Sequence, residues 1–170
     1  MDENYEKRGY LLEDFRLFHL DEAMNAPVDW HYHTFHKIIA FLSGSASYGI
    51  EGKSYVLEAG DLILVPSGCI HRPEIAPGAP YERIILYISP EFLRTAGTPD
   101  CDLEACFAKA QAEFMFVLRP GAERRALLGA LLALEREQPS QAFGKALLER
   151  ALVLQFLIGV RRGMEENRLE

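Results

Sequence analysis

The chain has 170 residues, 49% of them hydrophobic and 25% charged, enough for one domain with a substantial core and marginal for two. A net charge of −7, from 18 Lys and Arg against 25 Asp and Glu, argues against this segment gripping a phosphate backbone, which calls for a basic patch. The acidic start Met1-Asp2-Glu3-Asn4-Tyr5-Glu6-Lys7 is no signal peptide, and the longest apolar run, Ala151 to Val160 with only Gln155 polar, is about half a membrane span. Cys69, Cys101 and Cys106 form no zinc-type pair, and their odd number makes no disulfide framework, so the expected compartment is a reducing cytoplasm.

From Tyr10 to Ile88 the pattern is short strands broken by turns. Phe15-Arg16-Leu17-Phe18 is rich in strand formers. Lys37 to Leu42 is a compact apolar strand closed by Ser43-Gly44. Ala46–Ile50 and Lys53–Leu57 flank Glu51-Gly52, an acidic-Gly pair that favours a tight hairpin. Ala59-Gly60-Asp61 turns into the buried strand Leu62–Val65; Ala76 to Pro80 is a loop; Tyr81–Ile88 is the last long strand, ended by Ser89-Pro90. Strands this short and regular predict a sandwich or barrel.

The second half changes period. Asp102–Gln111 has helical composition, and Phe114–Leu118 reads as a short strand. Pro120 stands where a helix start welcomes it, and Ala122–Glu137 puts Leu127, Leu131 and Leu134 on one face. After Pro139-Ser140 a final helix from about Gln141 to Arg162 carries two apolar stripes. One holds Phe143, Leu147, Ala151, Leu154 and Ile158; the other holds Leu148, Leu152, Phe156 and Val160. One stripe can pack on the barrel or the preceding helix. The other needs a partner, and a second copy of the chain is the economical choice. The expected seam is Leu147, Leu148, Ala151, Leu152, Leu154, Gln155 and Ile158.

The chemistry gathers around three histidines. In His31-Tyr32-His33 the alternation of a strand points both imidazoles the same way, while His36 is out of phase with them. Pro66 and Gly68 make a sharp turn that delivers His71 onto the next strand. Three neutral imidazoles converging in a barrel suit a polar ligand, or a divalent metal such as Zn²⁺, Ni²⁺ or iron. The competing reading has them bonding backbone and water at the barrel mouth.

The spacing from Gly60 through Pro66 and Gly68 to His71, after the His-x-His, resembles the two motifs of the cupin family. A cupin barrel followed by leucine-rich helices is similar to the effector-binding and dimerisation domain of AraC-type transcription regulators. The likeness is carried by Ile50–Asp61, by Pro66-Ser67-Gly68 through His71-Arg72, by Arg83–Leu93, and by Ala151–Gln155 in the tail. It implies a mainly β fold with α: a cupin (double-stranded β-helix) barrel over residues 1–95 and a helical dimerisation region packed on it over residues 96–170. In complete relatives two helix-turn-helix units follow this point. The expectation is therefore a homodimeric sensor domain whose effector, sugars among the possibilities, sits in the barrel, and which meets DNA only through a domain this chain lacks. Metal-binding cupins place a carboxylate four residues after the second histidine, and here that residue is Lys37; an asparagine of some members is replaced by Ile75.

Around the histidines, Lys37 reads as a binder of an anionic or sugar-like effector, as half of an ion pair with a barrel carboxylate, or as a side chain snorkelling to the rim. Trp30 and Tyr48 read as ring-stacking walls or as packing, as do Tyr81 and Tyr87. Arg72 reads as a solvated surface arginine or as one facing the pocket mouth. Cys69 lies close to a histidine, but no third partner for a nucleophile is visible. The alternative function is a stand-alone metal-dependent enzyme of dioxygenase or isomerase type using His31, His33 and His71. A third is a pure dimerisation module with a vestigial pocket.

Overall fold

In the computed structural model, which describes residues 5–166, the front of the chain pairs into two five-stranded sheets and the rear winds into helices. The strands are β1 (Glu6–Lys7), β2 (Phe15–Asp21), β3 (His31–Tyr32), β4 (His36–Gly44), β5 (Ser47–Ile50), β6 (Lys53–Val56), β7 (Leu62–Val65), β8 (His71–Glu74), β9 (Tyr81–Ile88) and β10 (Val117–Leu118). One sheet runs β1-β3-β8-β5-β6 and the other β10-β7-β4-β9-β2. Every pairing is antiparallel except β1 with β3. The architecture is a mainly β cupin-type barrel with C-terminal helices, α1 (Pro90–Ala96), α2 (Ala105–Glu113), α3 (Arg124–Glu137) and α4 (Lys145–Glu166).

Burial explains the apolar runs. In β4 His36 through Phe41 are all buried, and so are all four residues of β7. Such strands are covered on both faces, by the opposing sheet inside and by helices outside, so their sequences cannot alternate. Between β5 and β6 the chain turns on Glu51 (φ 47°) and Gly52 (φ 80°), two consecutive left-handed residues that make a hairpin turn matching strand twist. Asp61, wholly buried, accepts both prongs of the Arg119 guanidinium at 2.9 Å and the Glu58 amide at 2.7 Å. That junction ties the turn before β7 to the segment after β10.

Several boundaries differ from the sequence expectation. Pro90 does not merely end a strand. Ser89 caps a helix by accepting the Phe92 amide at 3.3 Å, and Pro90 opens it, where a missing N–H costs nothing. Phe114 does not begin a strand but ends α2 in the left-handed region (φ 54°), leaving only Val117 and Leu118 to pair with β7. Pro120 lies buried in the connection ahead of α3, not in its first turn. The last helix starts at Lys145, just past Gly144 (φ 77°), and runs to Glu166. Phe143 therefore precedes the helix and is fully solvated.

The inward side of α4 is Val153, Phe156, Leu157, Val160 and Met164. That stripe lies between the two expected ones and shares Phe156 and Val160 with the second. Each such burial stabilises by about 2 kcal/mol. The expected seam stays on the outside: Leu147, Leu148, Ala151 and Gln155 are exposed, and Leu152, Leu154 and Ile158 are half-buried. No helix among the described residues is long and apolar enough to cross a membrane.

Candidate ligand site

β3 and β8 pair at a single register point, His31 opposite His71. Two imidazoles thus start side by side, and the chain beyond Tyr32 folds His33 back against both. The ring centroids lie 4.4 Å apart for His31 and His71, 4.9 Å for His33 and His71, and 5.0 Å for His31 and His33. One ligand-type atom from each ring falls within 4.8 Å of the others.

Each ring is anchored on its Nδ1 side by a backbone carbonyl: His31 by Asp29 at 2.8 Å, His33 by Arg8 at 2.5 Å and His71 by Cys69 at 2.9 Å. A carbonyl oxygen only accepts, so Nδ1 carries the proton in all three, and each Nε2 keeps a bare lone pair. The Nε2 atoms of His33 and His71 are buried and have no partner. Burial, with the charge of Lys37 second, pushes His33 down to about 4 and His71 down to about 2; burial lowers His31 as well. All three are therefore neutral acceptors at pH 7.

Lys37 enters the same chamber from the opposite sheet. In β4 it stands opposite Val65 and Tyr87, and alternation sends it inward while His36 goes outward. His36 stacks on Phe107 of α2 at 4.1 Å, accepts the Ser67 amide at 2.9 Å and faces Glu104 at 3.3 Å. Lys37 Nζ lies 5.9 Å from the centroid of the Tyr48 ring, and burial alone pulls its ammonium down to about 7. Tyr48 stacks on His71 at 6.1 Å with its hydroxyl buried and unpartnered. The chamber thus holds His31, His33, His71, Lys37 and Tyr48 together.

Other expected residues lie elsewhere. Trp30 is on the outer face of the histidine-bearing sheet, not with the histidines. A Cβ on Gly49 would meet the indole at 2.6 Å, and Gly49 points away from its neighbours Tyr48 and Ile50. Arg72 covers that indole at 4.6 Å. Tyr81 packs on Phe41 and under Arg83, away from the histidines. Tyr87 approaches His33 at 6.1 Å. Cys69 is no nucleophile: burial, then Glu51, pushes its thiol up to about 12.

Sequence reasoning missed Phe35, whose ring stacks on His33 at 4.8 Å, and the anchoring carbonyls of Arg8, Asp29 and Cys69. Phe35 stands in phase with His31 and His33, a signal that was available. The carbonyls leave no trace in residue type.

A family model described as the AraC-like ligand binding domain matches residues 18–157. No curated protein matches the sequence. Among solved structures, the AraC-like transcriptional activator CuxR is similar with a TM-score of 0.53 at 14% identity, over 75% of this chain and 42% of that one. A cupin-like protein from Thermotoga maritima gives 0.41 at 21% identity, over 48% and 62%. A cupin from Bacteroides fragilis gives 0.40 at 20% identity, over 52% and 86%.

Proposed function

The chain belongs to the AraC-like ligand-binding domain family, and from that premise we infer that it is the small-molecule-sensing and pairing unit of a transcription regulator, working in the cytoplasm. The effector occupies the chamber between the sheets. DNA is reached only through a separate helix-turn-helix region.

One observation carries this reading. Three side-chain polar atoms of the chamber, His33 Nε2, His71 Nε2 and the Tyr48 hydroxyl, are buried without a partner. Each such orphan costs about 1–3 kcal/mol, so a cluster of them marks a place completed by something other than the protein. A route outward exists. His33 Nδ1 donates to the Arg8 carbonyl, and the Arg8 amide donates to the Tyr32 carbonyl at 2.9 Å. A ligand on His33 therefore acts on the ring that holds the N-terminal segment. Signalling needs only that the ligand prefer one arrangement of that segment.

Pairing is supported by the outer side of α4. Leu154, Ile158 and Gly159 form an apolar groove with Ala126 and Ala130 of α3, the side a second copy would cover. The reading is tested by thermal shift against sugars, polyols and organic acids. A binder raises the midpoint by mass action, and His71→Phe abolishes the rise. A flat response to every compound overturns the reading.

The enzyme alternative rests on the same rings. Three Nε2 lone pairs form a donor set that fits Zn²⁺, Ni²⁺ or Fe²⁺, which would serve as a Lewis acid with open positions. Lys37 supplies no fourth ligand, and its ammonium repels a cation. Stoichiometric iron or manganese in protein purified without added metal favours the enzyme; its absence favours the sensor.

A further inference from the structure

The cluster is closed off from solvent. His71 is 0% exposed, Tyr48 1%, His31 5%, and His33 and Lys37 7% each. Lys37 has no carboxylate partner among the described residues. Acids of the facing sheet turn elsewhere: Glu51, in the β5–β6 turn, accepts the Ile70 amide at 2.7 Å, and Glu74 of β8 takes the Ser54 hydroxyl at 2.5 Å beside Gly49 on the outer face. Beside β4, Glu82 of β9 accepts from Ser43 and Asp61 holds Arg119. A buried ammonium without an anion is costly. On the opposite wall the histidines offer acceptors only, because their protons are committed to backbone carbonyls. One wall lacks a negative charge, and on the other the Nε2 atoms of His33 and His71 lack a donor.

We propose that the effector is a small hydroxycarboxylate, its carboxylate paired with Lys37 and its hydroxyl donating to the Nε2 atoms of His33 and His71. This rests on reading the chamber as a ligand site and adds the chemical class. An uncharged polyol would satisfy the imidazoles and leave Lys37 unpaired. A plain carboxylate would do the reverse. Only a molecule bearing both groups completes both walls, and the Tyr48 hydroxyl can serve either.

The test is calorimetric titration of chelator-treated full chain with lactate, lactamide and propionate, which share size and differ by one group. Lactate is expected to bind at least about tenfold more tightly than either, a difference of about 1.4 kcal/mol, since each of the others leaves one wall unsatisfied. Lys37→Met should erase the preference for lactate over lactamide, and His71→Phe the preference over propionate. Equal binding of lactate and lactamide overturns the proposal, as does lactate binding retained in Lys37→Met. Binding that requires added zinc overturns the direct contact with the imidazoles. If glycerol or a neutral sugar binds, is lost in His71→Phe, and lactate does not bind, this proposal falls while the sensor reading stands.

Discussion

Lys37 is where the chain gives up stability. In the folded state burial holds its ammonium near 7, against an ordinary value of 10.5. Between those values the unfolded chain binds more protons, so stability rises with pH from about 7 to about 10.5 and the full penalty applies below 7. Lys37→Met is expected to exceed the parent in stability at about pH 6, by on the order of 5 kcal/mol, and to lose most of that lead near pH 10. Urea midpoints at the two pH values decide it; a constant difference would mean that Lys37 is not held neutral. The histidines work at the acid end. His33 near 4 and His71 near 2 refuse protons that unfolded histidines accept below 6.5. Their effect is full stability above about 6.5 and loss as pH falls, through about 4 for His33 and on toward 2 for His71. In chelator-treated protein His71→Phe should lower the acid slope of stability by about one proton between pH 5 and pH 3, measured by thermal unfolding. An unchanged slope would place the acid sensitivity elsewhere.

Elements here are joined by few polar fasteners set in apolar packing. The Asp61–Arg119 fork clamps the entrance of β7 to the exit of β10, and Asp61 is wholly buried. Removing only the cation leaves a buried carboxylate with too few partners, so Arg119→Met should cost about 3 kcal/mol. Adding Asp61→Asn should recover part of that, a coupling read from a double-mutant cycle in urea. Strict additivity would mean the fork contributes nothing as a pair. The Ser89 cap is smaller: Ser89→Ala should cost about 1 kcal/mol. The element scale also shows which signals were legible. Glu51-Gly52 states its hairpin outright, and Ser89-Pro90 states a helix start that was read only as a strand end. Trp30 sits outside any regular strand, so no period told which face it takes; the space above Gly49 decided that.

At the scale of the whole molecule, α4 has to satisfy more than one neighbour. Its inward stripe, from Val153 to Met164, closes the core against the barrel and the other helices. Its outward residues, Leu147 and Leu148 at 72% and 46% exposure, keep apolar surface in water, which a second copy would remove. If the chain pairs as proposed, Leu154→Glu in the α3–α4 groove should turn a dimeric parent into monomers in sedimentation with the thermal midpoint nearly unchanged. A species of unaltered mass would move the seam off this helix. The tail sequence made plain that one apolar side was too few. Gly144 set the helix start later than the composition suggested, and packing against α2, α3 and the barrel decided which side turned inward.

Local periodicity determined that short strands come first and helices after, the common direction of His31 and His33, and that His36 is out of phase with them, because side chains alternate wherever the backbone is extended. The choice of a cupin barrel over a sandwich came from the motif resemblance. Long-range pairing decided the rest. It set His31 against His71, turned each Nδ1 onto a backbone carbonyl, left Lys37 without an acid and carried Trp30 to the far side of the sheet. Those outcomes depend on which backbone groups come within hydrogen-bonding reach after folding, and residue identity does not encode that reach.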